Sequence, residues 1–295
     1  MNLQDIKWLH AEISTRCNAW CPACTRNQNG YGITPGLVEQ DMSQDQFESF
    51  VDDLPALTGI QFCGNYGDPI AHHDFFSITE FAVSRVNKIQ IHTNGGLRST
   101  QWWKQLAHLL KDIDHDVWFG IDGIGEVHEM YRQGTDFQKV IDNAGAFIQA
   151  GGRATWQFIP YQHNEYQLMD CMRLSQYLGF AKFKLVPSYR ETHTKVLHWR
   201  TGEHRFDLQP AKVYKQMFFQ SNKDQVLEKD CMHLSMPSIY LAASGRVSPC
   251  CYFASYKSFE SVQHLLNDLD IRQEISSTPD KICLYNCGSN HGTSK

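Results

Sequence analysis

The chain has 295 residues, of which 42% are hydrophobic and 12% aromatic, enough for one large domain or a large domain with a small one. The formal net charge is −5 and the basic residues are scattered, which argues against a nucleic-acid-binding face. No segment approaches the roughly 18 consecutive apolar residues of a membrane helix, and the N-terminus lacks the layout of a signal peptide. We therefore expect a cytoplasmic protein with neither a membrane nor a nucleic acid as partner.

Short apolar runs alternate with amphipathic stretches over the first two thirds of the chain. The runs predict six strands, over residues 8–14, 59–64, 88–96, 116–123, 153–161 and 182–187. The amphipathic stretches predict five helices between them, over residues 42–54, 73–86, 99–112, 136–152 and 165–180. Ser43 and Gln46 have the spacing of a capping box at the start of the first helix. This alternation predicts an α/β fold, a parallel sheet wrapped by helices that is open or partly closed as a barrel, over residues 1–190.

The rest of the chain has a different pattern. Residues 191–230 are polar and lack clear periodicity apart from a helical stretch at 211–220, so we interpret them as a connector. Residues 231–295 predict a small cysteine-rich unit, with a β-hairpin over 238–253 that turns at Ser244-Gly245 and a helix over 261–275. The chain closes with Cys283 and Cys287 in a predicted loop.

The chain contains ten cysteines, many for a cytosolic protein, where disulfides are rare. Cys17, Cys21 and Cys24 form a Cys-x3-Cys-x2-Cys run directly after the first predicted strand. A structural zinc site and a cubane iron–sulfur cluster both take four protein ligands, so three thiolates leave one metal position open. On spacing alone, the run is as compatible with half of a zinc site as with a cluster.

Polar motifs follow the next three predicted strands. Cys63–Pro69 follows the second strand, Thr93-Asn94-Gly95 the third, and Asp122-Gly123 the fourth. Because the active site of a βα barrel lies at the carboxyl ends of its strands, we expect these motifs to surround the three cysteines.

This series of motifs resembles the radical S-adenosylmethionine (SAM) superfamily, whose cysteine motif follows the first strand of a partial (β/α)6 TIM-type barrel. The segment after the second strand is similar to the Gly-Gly-Glu-Pro motif that holds the SAM amino group, with Asp68 in place of Glu. Arg132 occupies the position of the arginine that binds the SAM carboxylate. Ala23 replaces a usual aromatic residue and Gly120 a usual serine. The cofactor-binding residues implied by the resemblance are Gly64, Gly67, Asp68, Asn94, Asp122 and Arg132.

The resemblance implies that Cys17, Cys21 and Cys24 hold a 4Fe-4S cluster whose fourth iron binds SAM. Reductive cleavage of SAM would then give a 5′-deoxyadenosyl radical that abstracts a hydrogen from substrate. An electron donor such as flavodoxin or ferredoxin is implied as a partner.

The C-terminal part resembles the twitch or SPASM extension of the same superfamily, and a twitch domain over residues 231–295 is the better match. Its implied ligands for an auxiliary 4Fe-4S cluster are Cys231, Cys250, Cys283 and Cys287. A structural zinc site of the same four residues is the alternative. A fully ligated cluster suits electron transfer and favours a net oxidation of the substrate, whereas a cluster that lacks one protein ligand would anchor the substrate instead.

The other cysteines and some rim residues have weaker assignments. Cys251 is adjacent to Cys250 and could replace it, but the motif spacing favours Cys250. Cys63 and Cys171 are predicted to be small core residues. His92 alternates onto the face of Asn94 and lines the cavity or is an interior histidine. Substrate-side candidates after the fifth and sixth strands are Tyr161, Arg190 and His193, whereas Trp102 and Trp103 are expected to pack in a helix.

Three functions are compatible with this pattern. The first is oxidative modification of a ribosomally made peptide or protein, which would need a separate peptide-recognition protein because the first strand begins near residue 8. The second is dehydrogenation of a small alcohol or sugar. The third, from a different class, is a zinc-binding interaction protein.

Overall fold

The computed structural model describes residues 3–186, 194–212, 238–255 and 257–268. Cys231, Cys283, Cys287, Arg190 and His193 therefore lie outside the described residues, as does most of the predicted helix at 211–220. Among the described residues, no helix is both long and apolar enough to cross a membrane.

Six parallel strands form the centre of the fold, and all six coincide with the strands predicted from the sequence. They are β1 (Trp8–Ala11), β4 (Gly59–Phe62), β5 (Lys88–Thr93), β6 (Asp114–Gly120), β7 (Ala154–Phe158) and β8 (Lys182–Leu185). Each pairs in parallel with the next in this order, starting with Leu9 opposite Ile60 and ending with Trp156 opposite Phe183. The predicted α/β sheet is confirmed.

Helices connect these strands. They are α1 (Gln44–Asp52), α2 (Phe75–Arg85), α3 (Thr100–Leu110), α4 (Glu126–Tyr131), α5 (Phe137–Gln149) and α6 (Leu168–Tyr177). The five predicted helices are confirmed, and α4 is an additional short helix that was not predicted. The capping box also forms, since Ser43 Oγ accepts from Gln46 N at 3.2 Å and Gln46 Oε1 accepts from Ser43 N at 3.1 Å.

The two faces of the sheet differ in polarity because side chains alternate along each strand. On the outer face, apolar side chains such as Ile91 and Phe119 are buried in the main hydrophobic core against the helices. On the inner face, the alternate positions carry polar or amphipathic side chains such as Gln90, His92 and Trp118. The interior of the partial barrel is therefore suited to polar ligands.

The predicted C-terminal hairpin is confirmed as β11 (Ser238–Leu241) and β12 (Val247–Ser248), which pair antiparallel. β11 also pairs in parallel with β1, with Tyr240 opposite His10, so the hairpin extends the main sheet to eight strands. The sequence pattern shows a hairpin but carries no information on its distant partner strand. The helix α7 (Val262–Asn267) follows within the predicted 261–275 range, and the domain boundaries stay a prediction.

The described part of the chain contains two further hairpins that were not predicted. One is formed by β2 (Asn27–Gln28) and β3 (Tyr31–Ile33), just after the cysteine run. The other is formed by β9 (Thr194–Leu197) and β10 (His204–Leu208), in the segment that we interpreted as a connector. The interpretation as a connector stays a prediction. The strands are too short and too polar to show a clear period in the sequence.

The β9–β10 hairpin packs on the loop that carries the cysteines. Val196 and Leu208 are buried in one small apolar cluster with Ala19, Cys21 and Tyr161. The hairpin therefore covers one side of the cysteine loop.

Gln133 connects this hairpin to the barrel. Its buried side chain donates from Nε2 to the Leu197 carbonyl at 2.8 Å, and its Oε1 accepts from Trp199 N at 3.3 Å. We expect Gln133→Ala to lower the free energy of unfolding by about 1–3 kcal/mol, because two partly buried backbone groups lose their side-chain partner. Faster amide hydrogen exchange at residues 194–199 would accompany this loss. As a matched control, Gln138→Ala removes only an exposed helical contact to Asp142, and equal effects of the two substitutions would contradict the prediction.

Candidate functional site

The three cysteines of the Cys-x3-Cys-x2-Cys run lie at the carboxyl edge of the sheet, directly after β1. Cys17 Sγ accepts a hydrogen bond from Ala19 N at 3.4 Å. Cys17 and Cys24 both pack against the small apolar cluster that contains Cys21. Burial raises the pKa of the Cys17 thiol, and the negative charges of Asp68, Cys21 and Cys24 raise it further. A cationic metal centre would offset this repulsion and hold all three as thiolates.

Nitrogen donors from other elements face these sulfur atoms. Asn94 Nδ2, after β5, lies 3.5 Å from Cys17 Sγ, and Arg132 Nη1, after α4, lies 4.0 Å from Cys21 Sγ. Hydrogen bonds to the ligating sulfurs are one of the features that set the potential of an iron–sulfur cluster. The soft thiol set and its donors therefore fit such a cluster.

Asn94 is itself held on both sides of its amide. Its Oδ1 accepts from Gly96 N at 2.8 Å, and its Nδ2 donates to Asn18 Oδ1 at 2.9 Å. The amide thus connects the turn after β5 to the cysteine loop, as the strand-end argument predicted.

Asp68 is buried and fully engaged within the protein. Its carboxylate accepts from Thr93 Oγ1 at 2.9 Å, from Asn94 N at 2.7 Å and from Ile70 N at 3.0 Å. Burial raises the pKa of Asp68, and the backbone donors oppose that shift. In this structure Asp68 ties the turn after β4 to the turn after β5. The contact with the SAM amino group implied by the resemblance stays a prediction.

Gly64 and Gly67 allow the turn after β4 to approach β1 closely. A Cβ on Gly64 would lie 2.5 Å from Glu12 Oε1, and one on Gly67 would lie 1.9 Å from the Ser14 carbonyl oxygen. Side chains at these two positions are therefore excluded by their surroundings.

Glu12 is a site residue that the sequence interpretation missed. Its Oε1 accepts from Tyr66 N at 2.7 Å and from Gly67 N at 3.0 Å, and the Tyr240 hydroxyl donates to its Oε2. Burial raises the pKa of Glu12. One signal in the sequence could have indicated Glu12: it is a charged residue two positions after His10, and so continues the inner-face alternation of β1.

Asp122 and Arg132 form a buried ion pair, with Arg132 Nε 2.7 Å from Asp122 Oδ2. Asp122 Oδ1 also accepts from Ile159 N at 2.7 Å. Burial opposes the charge on Arg132, but the Asp122 carboxylate outweighs it and raises the pKa of the guanidinium, which stays charged. A Cβ on Gly120 would lie 2.6 Å from Arg132 Nη2. The guanidinium therefore occupies the space that the usual serine side chain would need at this position.

The inner-face candidate His92 belongs to a stack. Its ring lies 4.5 Å from the Trp118 ring, and Lys184 Nζ lies 4.7 Å from the same indole. Burial lowers the pKa of His92 to about 3, with smaller contributions from His10 and Lys184, so the ring is neutral. His92 thus lines the barrel interior and does so as an uncharged group.

Other sequence candidates are packing residues. Tyr161 is buried under the cysteine loop with its hydroxyl 3.4 Å from that of Tyr131. Trp103 is buried with its indole N–H donating to the Leu97 carbonyl at 3.0 Å, and Cys171 lies in the main core, both as predicted. Cys63 is half-buried and outside that core, so its assignment as a core residue is wrong.

Comparisons with known proteins agree with this geometry, although no family model matches the chain. Over 120 residues the chain is 32% identical to the tungsten-containing aldehyde ferredoxin oxidoreductase cofactor-modifying protein of Pyrococcus furiosus. The match spans 40% of this chain and 31% of that relative.

Several solved structures match nearly the whole chain, among them the following two. The structure of anSMEcpe with bound AdoMet has a TM-score of 0.64 at 15% identity, covering 96% of this chain and 84% of that one. Streptococcus suis SuiB bound to the precursor peptide SuiA has a TM-score of 0.63 at 13% identity, covering 93% and 67%. The chain therefore shares the fold of these two proteins. The predicted α/β partial barrel is confirmed, and the resemblance inferred from the motifs agrees with these matches.

Proposed function

We propose that this protein is a radical SAM enzyme in which Cys17, Cys21 and Cys24 hold a 4Fe-4S cluster. The observation that carries the proposal is the convergence of these three thiols with two nitrogen donors at the carboxyl edge of the sheet, from Asn94 and Arg132. A cluster held by these three thiolates would supply the reductive cleavage of SAM that produces a radical able to abstract a substrate hydrogen.

The residues of the chain bind and orient the cofactor. Arg132, held by Asp122, presents a charged guanidinium to the SAM carboxylate. The turn from Gly64 to Gly67 presents backbone groups to the SAM amino group, because the missing side chains let the turn approach β1. Asp68 stabilises that turn indirectly, because its carboxylate accepts hydrogen bonds from the Thr93 hydroxyl and the Asn94 N–H of the next turn.

The substrate that we propose is a ribosomally made peptide or protein, which is modified oxidatively. Support comes from the fold shared with SuiB, which was solved with a precursor peptide, and with anSMEcpe, which was solved with a bound peptide. We include in this proposal a separate peptide-recognition protein, an electron donor of the flavodoxin or ferredoxin type and an auxiliary 4Fe-4S cluster.

A small-molecule dehydrogenase is the second candidate. It is favoured by the polar inner face with His92 and Trp118, and by the partial match to a cofactor-modifying protein. Deuterium transfer from a labelled substrate into 5′-deoxyadenosine separates the two, since only the true substrate class transfers its label.

The first test uses protein that is purified anaerobically and reconstituted with iron and sulfide. We expect about eight irons per chain if both clusters are present. Reduction in the presence of SAM should release 5′-deoxyadenosine. The Cys17→Ala, Cys21→Ala and Cys24→Ala variants should lose that release at least 100-fold, because each removes a thiolate ligand. Cys171→Ala changes a core cysteine and is the matched control. A colourless protein with stoichiometric zinc would contradict the proposal and favour the zinc-binding alternative.

A further inference from the structure

A second group of cysteines gathers on the inner face of the sheet. Cys63 directly follows β4, and because it is two residues after Gln61, it lies on the same face of the strand as Gln61. Ile60 and Phe62 lie on the opposite face, in the outer core. Its carbonyl accepts from His10 Nε2 at 3.0 Å, which places it over the end of β1. Cys63 therefore faces the barrel interior.

Cys250 and Cys251 come to the same place from the other end of the chain. They follow β12, and the Cys251 carbonyl accepts from Asn65 Nδ2 at 2.7 Å. Asn65 is two residues after Cys63, so this hydrogen bond fixes the loop after β12 against the turn after β4. Cys250 Sγ accepts from Phe253 N at 3.4 Å, the same kind of backbone contact that Ala19 makes to Cys17.

All three cysteines of this second group, Cys63, Cys250 and Cys251, are half-buried. The hydrogen bond from Asn65 to the Cys251 carbonyl holds the segment with Cys250 and Cys251 against the turn that follows Cys63. The fold thus brings together a second set of three cysteines, beside the set of Cys17, Cys21 and Cys24.

We propose that Cys63 and Cys251, together with Cys250, ligate the second iron–sulfur centre, which lies between the turn after β4 and the loop after β12. This inference rests on the proposed function for the existence of that centre, and it changes the ligand set implied by the sequence. A cubane cluster takes a ligand at each of its four irons, and these three thiols would supply three of them.

One residue joins this centre to the first. The Asn65 carbonyl accepts from Thr25 Oγ1 at 2.8 Å and lies 4.0 Å from Cys24 Sγ, while its side chain holds Cys251. The two cysteine groups therefore flank the same turn. This arrangement suits electron exchange between the centres.

The test uses a background in which Cys17, Cys21 and Cys24 are all alanine, so that bound iron reports on the second centre alone. We expect this background to retain about four irons per chain after anaerobic reconstitution. Adding Cys63→Ala or Cys251→Ala should lower the iron at least four-fold and remove the signal of the reduced cluster in electron paramagnetic resonance. Adding Cys171→Ala should leave both unchanged.

Folding is checked separately, because an alanine variant that does not fold would also lose iron. Each variant is compared with the background by circular dichroism before reconstitution, and Cys63→Ser and Cys251→Ser repeat the experiment with nearly isosteric side chains. Folded Cys63 and Cys251 variants that keep as much iron as the Cys171 variant would overturn the inference, as would zinc in place of iron. A native protein that cleaves SAM while the background holds no iron would overturn the inference and leave the proposed function standing. Iron in the background, together with no SAM cleavage by the native protein, would overturn the proposed function and leave this inference standing.

Discussion

Asp122→Asn is expected to lower the free energy of unfolding by about 3–5 kcal/mol, because it leaves the Arg132 guanidinium charged and unpaired in a buried site. The substitution preserves the shape of the side chain, so the loss reports on charge. Asp122 is fully buried and Arg132 is 14% exposed, which limits any compensation by water. Denaturant-induced unfolding, monitored by circular dichroism, measures the difference.

An exposed ion pair provides the control. Asp170 lies 3.2 Å from Arg173 with both side chains more than half exposed, so Asp170→Asn should change stability by less than about 1 kcal/mol. In the reconstituted enzyme, Asp122→Asn should also weaken SAM binding by at least ten-fold, since the guanidinium loses the partner that orients it. Similar unfolding curves for the two variants would show that the buried pair contributes nothing to stability.

Gly67→Ala is expected to have the second large effect, a loss of about 1–3 kcal/mol or more, because it overfills a close contact. The added Cβ would lie 1.9 Å from the Ser14 carbonyl oxygen and 2.9 Å from Thr15 Cα, and backbone atoms cannot rotate away. The turn must therefore move away from β1. This movement would break the hydrogen bond from Gly67 N to Glu12 Oε1 and abolish SAM binding in an equilibrium dialysis assay.

Gly145 offers the opposite case. It lies within α5, and a Cβ there meets no atom within 4 Å. Gly145→Ala should raise stability by about 0.5–1 kcal/mol, since alanine loses less backbone entropy in a helix. If Gly67→Ala behaved like Gly145→Ala in both stability and SAM binding, the close approach of the turn would not matter for the site.

Positions at the ends of strands were predictable from the sequence. Cys17, Asn94 and Asp122 each follow an apolar run, and parallel strands bring their carboxyl ends to one edge. The meeting of Asn94 with Cys17 is therefore a consequence of strand order. The roles of these residues toward SAM stay predictions.

Contacts between distant segments were not predictable in the same way. Glu12 was missed because its partners, Tyr66 and Tyr240, come from two other elements. The β9–β10 hairpin was missed because its strands are short and polar, and because the side chain of Gln133, from a distant segment, helps to hold it. Hydrogen bonds to single side chains leave no repeat in the sequence.

The sequence by itself determined the α/β fold, the run of Cys17, Cys21 and Cys24, and its place after the first strand, because side-chain periodicity and local spacing are encoded within short segments. Only the tertiary structure decided which distant groups surround these cysteines. The pairing of β11 with β1 brings Cys251 to the turn after β4. Asp68 is buried, and its carboxylate is hydrogen-bonded to groups of the protein itself. Pairing between distant strands and desolvation depend on the whole folded chain, and for that reason neither can be read from a single segment.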